Sequence, residues 1–104
     1  MVQRDYLMRM IEQFMQAIAS IIAHIRADQL EEARQKIDVA YQSLGVAPSM
    51  VKSLDDGSLV VLLGKEKADL VMKLFTVEAE LLRKQGRAKE AAQLEARVAS
   101  WTKR

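Results

Sequence analysis

The sequence has no cysteine, a single histidine, a single proline and four glycines in 104 residues. Without cysteine, the chain has no disulfide framework, iron–sulfur cluster, thiolate zinc site or thiol nucleophile. One histidine excludes a two-histidine metal or acid–base centre within a single chain. Because glycine and proline are scarce and strong helix formers are abundant, the composition predicts helices almost throughout.

Long apolar runs are missing as well. The longest apolar stretches, residues 17–23 and 59–63, are far shorter than a membrane span. The first residues are charged and polar, unlike a signal peptide. We therefore expect a cytoplasmic protein that does not associate with membranes. Because 50% of the residues are hydrophobic and the net charge is only +2, the chain is expected to fold as one domain.

Residues 1–45 predict an antiparallel pair of helices. Apolar residues recur at helical spacing over about residues 4–27 and cover about half of the helix circumference, which is more than one neighbouring helix can bury. Asp28 is predicted as the N-cap of a second helix over about residues 29–44, and Gly45 suits the position just after that helix. The short break between the two helices favours a hairpin.

Residues 46–64 are predicted to form a connector. Pro48 suits the first turn of a short helix that ends near Leu54. Residues 58–63 fit either a buried strand or one to two helical turns. Since a lone strand would leave its backbone groups unpaired, we predict a short helix that ends at Gly64.

Residues 65–104 predict a second hairpin, whose first helix has two apolar faces. Gly86 separates a helix over about residues 65–85 from one over about residues 87–101. A chain this small rarely buries so many apolar faces alone, so we expect self-association as a homodimer. The two faces are formed by Ala68, Val71, Met72, Phe75, Ala79 and Leu82, and by Leu70, Leu74, Val77 and Leu81.

Two turns of the chain repeat each other. Residues 28–33 and 86–91 align at a spacing of 58 residues, and each has a turn residue, three variable positions and then Glu-Ala. This pattern resembles the inter-helix turn of a tetratricopeptide pair, in which the alanine lets two helices approach closely. The sequence therefore predicts an all-α bundle of five to six helices in tetratricopeptide-like hairpins, although Asp28 stands where a glycine is usual.

A further resemblance lies at the start of the chain. Residues 3–13, Gln-Arg-Asp-Tyr-Leu-Met-Arg-Met-Ile-Glu-Gln, resemble the opening of an uncharacterised family of small helical proteins, mostly from Gram-positive bacteria. Residues 30–33 and 85–87 also look like that family. The resemblance implies an all-helical, tetratricopeptide-like fold. It implies no activity and carries no functional residue into this sequence.

Glu78 lies between the two apolar faces of its predicted helix. A carboxylate enclosed there needs a basic partner or takes up a proton, and the partner must come from another helix. One reading is a structural ion pair or a window to solvent. The alternative is a helical small-molecule binder or enzyme centred on this buried carboxylate.

A basic cluster, Arg83, Lys84, Arg87 and Lys89, surrounds the Gly86 turn. It would suit nucleic acid or another polyanion. Aromatic residues are too few for a stacking platform, and nearby glutamates offset the charge. We therefore favour a solvated turn whose cations face the helix dipole, with nucleic-acid binding as the less favoured reading.

Candidate interaction residues lie on the first hairpin: Tyr6, Met8, Met15, His24 and Val39. Met8 and Met15 share one flank of the first helix, one heptad apart, which favours them as an intersubunit seam. His24 fits either a pH-sensitive group at an interface or an edge residue hydrogen-bonded to a neighbour. Tyr6 fits either a specific contact or packing on the bundle, beside a predicted pair of Asp5 with Arg9.

No motif for catalysis is present: the sequence has no glycine-rich phosphate loop, no histidine–glutamate metal spacing and no serine–histidine–acid set. We therefore predict a protein that is not an enzyme and needs no cofactor or metal. The favoured function is protein–protein interaction, either self-assembly or the docking of a protein or peptide segment in a helical groove.

Overall fold

Six helices and no strand make up the described part of the chain. A computed structural model describes the backbone of residues 2–103 and the side chains of residues 4–103; Met1 and Arg104, included in the predicted hairpins, lie outside it. The predicted all-α class is confirmed, and residues 58–63 are helical. The helices are α1 (Val2–Arg26), α2 (Leu30–Ser43), α3 (Pro48–Ser53), α4 (Asp56–Leu63), α5 (Lys65–Lys84) and α6 (Ala88–Thr102).

Helix α5 is the centre of the bundle. It packs against α1, α2, α4 and α6, and every residue of its two predicted apolar faces is buried. The four neighbouring helices of the same chain supply this burial, so α5 does not need a second copy to cover it. The apolar faces of α5 therefore give no reason to expect self-association.

Helix α1 buries one stripe and leaves others open. Phe14, Ile18, Ile21 and Ile25 face the core, because they recur at helical spacing and contact α2 and α5. The apolar residues on the two sides of this stripe are less covered.

No helix among the described residues combines the length and the apolarity that crossing a bilayer needs.

The turn between α1 and α2 is a helix-terminating turn centred on Asp28. Its φ angle is +62°, and its N–H donates to the Ile25 carbonyl at 3.1 Å while the Gln29 N–H donates to the His24 carbonyl at 2.8 Å. Asp28 therefore ends α1 and is not the N-cap of α2, so that prediction is wrong. Gln29 occupies the N-cap position, without a side-chain capping hydrogen bond.

The turn between α5 and α6 has the same geometry. Gly86 has a φ angle of +77°; its N–H donates to the Arg83 carbonyl at 3.1 Å and the Arg87 N–H donates to the Leu82 carbonyl at 2.8 Å. The six-residue loop closed by the second bond is typical of a helix that ends in a left-handed residue. The repeat seen in the sequence is thus a repeat of backbone hydrogen bonds.

Two alanines follow these turns at matching positions. Ala33 on α2 and Ala91 on α6 both have 0% exposure. A side chain larger than a methyl group would push the second helix of each hairpin away from the first. The alanine of each Glu-Ala pair in the sequence repeat therefore sets the spacing of its hairpin.

Candidate functional site

Glu78 is the buried carboxylate that the sequence singles out. Its side chain is 2% exposed, and it lies on α5 among the two apolar faces that turn towards α1, α2 and the other helices. An ionised carboxylate in such a place must be compensated by charge and by hydrogen bonds.

Three side chains donate to this carboxylate. Arg34 Nη1 and Lys52 Nζ reach Glu78 Oε2 at 3.0 and 2.8 Å, and the Tyr41 hydroxyl reaches Oε1 at 2.6 Å. Arg34 and Tyr41 lie on α2 and Lys52 on α3, so the carboxylate joins three helices. We call Arg34, Tyr41, Lys52 and Glu78 the Glu78 network. Arg97 of α6 holds α3 from another side, because its Nη1 donates to the Lys52 carbonyl at 3.1 Å.

The network sets the protonation of two of its members. Burial alone would raise the pKa of Glu78, but the hydrogen bonds from Lys52, Tyr41 and Arg34 outweigh it, so that pKa lies below its ordinary 4.5. Burial, the charge of Glu78 and the hydrogen bond to it raise the pKa of Tyr41 far above its ordinary 10.0. At neutral pH the carboxylate is therefore ionised, and the phenol is a proton donor to it.

The network leaves little room for chemistry on a ligand. Both oxygens of Glu78 already accept hydrogen bonds, and Arg34 and Lys52, with 30% and 36% of their side chains exposed, cover the carboxylate on the way to solvent. A ligand would have to displace one of these two cations. The described residues also hold no group of three histidine, aspartate or glutamate side chains that could bind a metal ion.

The basic turn is partly neutralised by its own helices. Arg83 Nε donates to Glu95 at 2.7 Å, and its Nη2 donates to the other oxygen of the same carboxylate. Arg87 Nε and Nη2 donate to Glu90 at 2.8 and 2.7 Å. The two arginines are therefore paired. The other two cations of this cluster, Lys84 and Lys89, take no part in these pairs. The sequence indicates that nearby glutamates offset the charge, but it did not identify Glu95, which lies about two turns into the facing helix α6.

Tyr6 and Val39 come together although they lie on different helices. They are 71% and 60% exposed and line a groove of 750 Å³ between α1 and α2. We call it the α1/α2 groove. Its lining consists of Tyr6, Arg9, Met10, Gln13, Phe14, Ala17 and Ser20 on α1, and of Lys36, Val39, Ala40 and Ser43 on α2.

Met8 and Met15 lie apart from this groove, on the other flank of α1. They are 60% and 38% exposed, and neither lines the groove. His24 is half-buried at the end of α1, and its Nδ1 donates to Gln29 Oε1 at 2.7 Å. These contacts match the second sequence-based interpretation, in which His24 is an edge residue that is hydrogen-bonded to a neighbour.

A second exposed apolar patch was not foreseen. On α4, Val61 is 88% exposed and Leu62 is 55% exposed, whereas Leu59 has no exposure. The run of five apolar residues in the sequence suggests burial all round, but a two-turn helix packed against α5 covers only one side of such a run. No pattern in the sequence distinguishes the covered side from the open one.

Nearly the whole chain matches one family of proteins. The model of a family described as a family of unknown function (DUF6483) matches residues 1–98. Searches among curated proteins and among solved structures find no match. The resemblance of residues 3–13 to an uncharacterised family is therefore confirmed at the level of the family.

Proposed function

Because the chain belongs to this family of unknown function, whose description assigns no activity, we propose a function from the geometry alone: a protein–protein interaction module that forms a homodimer. The contact is the outer flank of α1, which carries Met8 and Met15. The observation that supports it is the exposure of these two large apolar side chains at heptad spacing along a single helix.

The outer flank continues along α1 beyond the two methionines. Ile11 and Ile22 are only partly buried and border the same side of the helix. Helix α1 has 25 residues and is therefore about 38 Å long. A second copy of α1 laid against this flank would remove Met8 and Met15 from water in two places at once, which is how paired helices gain stability.

Light scattering coupled to gel filtration tests the proposal. We expect a dimer at a concentration of about 100 μM, and a monomer for the double variant Met8→Glu/Met15→Glu, because two buried charges oppose such a contact. Met50→Glu is the matched control, since Met50 on α3 is 39% exposed and lies outside the flank. A wild-type chain that stays monomeric at that concentration would defeat the dimer.

We propose no catalytic activity, cofactor or metal for this chain. The occupied oxygens of Glu78 support this for the candidate site in the core. We also propose no nucleic-acid partner, since the ion pairs of Arg83 and Arg87 reduce the charge of the basic turn. A filter-binding assay with DNA and RNA at low salt tests this, because a binding surface built on phosphate contacts is strongest there.

Three further expectations go with the proposal. The matching turns and the buried Ala33 and Ala91 support a tetratricopeptide-like arrangement of the two hairpins, which an experimental structure would test through the helix crossing angles. A family distribution mainly in Gram-positive bacteria follows from the resemblance at the start of the chain, and a genome survey tests it. A cytoplasmic location is tested by cell fractionation.

A further inference from the structure

The two walls of the α1/α2 groove carry charge of one sign. Arg9 stands on α1 and Lys36 on α2, both exposed, and none of the residues that line the groove is acidic. The remaining polar members of the lining are the neutral Gln13, Ser20 and Ser43. The groove is therefore apolar at its base and basic on both sides.

These two cations differ from four arginines elsewhere in the fold. Arg34, Arg83, Arg87 and Arg97 each form an ion pair with an acidic side chain of the chain itself. Among the described residues, Arg9 and Lys36 form none within 4.0 Å, although each has an acidic residue four positions earlier in its helix, Asp5 and Glu32 respectively. The i,i+4 pair of Asp5 with Arg9 that the sequence predicts is therefore not formed. Both groove cations remain available to a partner.

The base of the groove fits the apolar face of a helix. Phe14 and Ala40 are nearly buried and form the floor, while Tyr6 and Val39 stand exposed at the rim. On α1 the lining runs from Tyr6 to Ser20, a distance of about 21 Å along the helix, so this wall accommodates about four turns of a guest helix. Side chains at i, i+3, i+4 and i+7 of such a guest would reach the floor.

We propose that the α1/α2 groove binds an acidic amphipathic helix of a partner protein, with the acidic side chains of that helix facing Arg9 and Lys36. The inference rests on the proposed interaction function but uses the flank of α1 opposite to Met8 and Met15. A symmetric contact between two copies of the groove would bring Arg9 and Lys36 of both copies together. Since like charges oppose such a contact, the charge favours an acidic partner over a second copy.

Fluorescence anisotropy with model peptides tests this inference. The probe is a fluorescein-labelled helical peptide of about 16 residues, with leucine at i, i+3, i+4 and i+7 and glutamate on the polar face. One control peptide has lysine in place of each glutamate; another has the same composition with the leucines scattered around the helix. We expect the wild-type chain to bind the acidic amphipathic peptide at least about tenfold more tightly than either control.

Variants of the chain locate the binding. The double variant Arg9→Glu/Lys36→Glu should reverse the preference, so that the lysine peptide binds more tightly. The matched control Lys73→Glu/Lys89→Glu makes the same change in net charge with exposed residues outside the groove and should leave binding unchanged. Val39→Ser should weaken both peptides, whereas Val61→Ser, which alters an exposed valine on α4, should not.

Three results would overturn the inference. The three peptides could bind equally, none of them could bind, or the Lys73/Lys89 control could lose as much peptide affinity as the Arg9/Lys36 variant. Dissociation of a wild-type dimer by the Arg9/Lys36 variant would also overturn it, because the groove would then hold a second copy. The same titration with Met8→Glu/Met15→Glu keeps the two proposals apart. If the monomeric variant still binds the peptide, the groove inference is supported even if the homodimer proposal is wrong. If the wild-type chain is a dimer that binds none of the peptides, the homodimer proposal is supported and the groove inference is not.

Discussion

The two long hairpins of this protein are joined in the same way and exposed in different ways. The α1–α2 and α5–α6 turns have matching hydrogen bonds, each around a residue with positive φ. In the second hairpin, however, α5 is enclosed by four helices and the arginines near the turn are paired. In the first, α1 keeps apolar side chains and unpaired cations at the surface. The turn therefore specifies how two helices meet, and the open flanks of α1 are the surfaces through which we propose that this protein contacts others.

The largest effect on stability is expected where hydrogen bonds and ion pairs to Glu78 connect the two hairpins. Glu78 of the second hairpin takes donors from α2 of the first and from α3, so Glu78→Gln leaves Arg34 and Lys52 facing an uncharged amide. We expect this variant to lose about 3 kcal/mol of unfolding free energy in urea denaturation, since it removes one partner of a buried ion pair. Glu95→Gln, in the exposed pair with Arg83, is the control. A comparable loss in both variants would contradict a special role of the buried network.

The pH dependence sharpens the same contrast. The pKa of Glu78 is lower in the folded chain than its ordinary 4.5, so its contribution is complete above that value and is lost as the pH falls through the folded pKa. The folded pKa of Tyr41 is raised, so its contribution is complete below 10.0 and is lost as the pH rises above that value. We expect urea midpoints of the wild-type chain to fall more steeply than those of Glu78→Gln at acid pH, and more steeply than those of Tyr41→Phe at alkaline pH. Parallel curves would show that these groups do not govern the dependence.

The partners in this network mark the limit of what the sequence predicts. Helical periodicity and the glycines after α2, α4 and α5 give the helix ends within a few residues, because these are local properties of the chain. The burial of Glu78 also follows from its place between two apolar faces. Its donors do not follow, because Arg34, Tyr41 and Lys52 lie 44, 37 and 26 residues away and only the packing of α2 and α3 on α5 brings them together.

Asp28 shows a second limit. The sequence has the residue types of an N-cap there, since aspartate before a helix commonly accepts a hydrogen bond from it. The same residue type also tolerates positive φ, and closure of the hairpin selects that conformation. Local chemistry therefore allows both roles, and the tertiary contact between α1 and α2 decides between them.

Exchanging the turn residues Asp28 and Gly86 should have an intermediate effect on the stability of the fold. Gly86→Asp places a side chain on a residue with positive φ and should cost about 1 kcal/mol. Asp28→Gly removes such a side chain and should gain a smaller amount, because the glycine also loosens the unfolded chain. Thermal unfolding of both single variants and of the double variant measures the exchange. Opposite signs are expected, and a loss in both variants would show that the turns are less alike than their hydrogen bonds indicate.

The smallest effect is expected at the paired surface of the second hairpin. Arg83→Gln removes a bidentate pair with Glu95 whose two side chains are 48% and 44% exposed, and such surface pairs contribute little in water. We expect its melting temperature to match that of the wild-type chain within replicate scatter. A clear decrease would mean that surface pairing, and not only burial, stabilises the α5–α6 hairpin.

The buried charge of α5 also fixes the rotation of this helix about its own axis. Apolar side chains form a broad arc on α5, so apolar packing alone tolerates small turns of this helix about its axis. A carboxylate that must meet a tyrosine, an arginine and a lysine on two other helices allows much less freedom. One charged residue therefore makes the orientation of a largely apolar face more exact, and with it the placement of α2 and α3, whose side chains it binds.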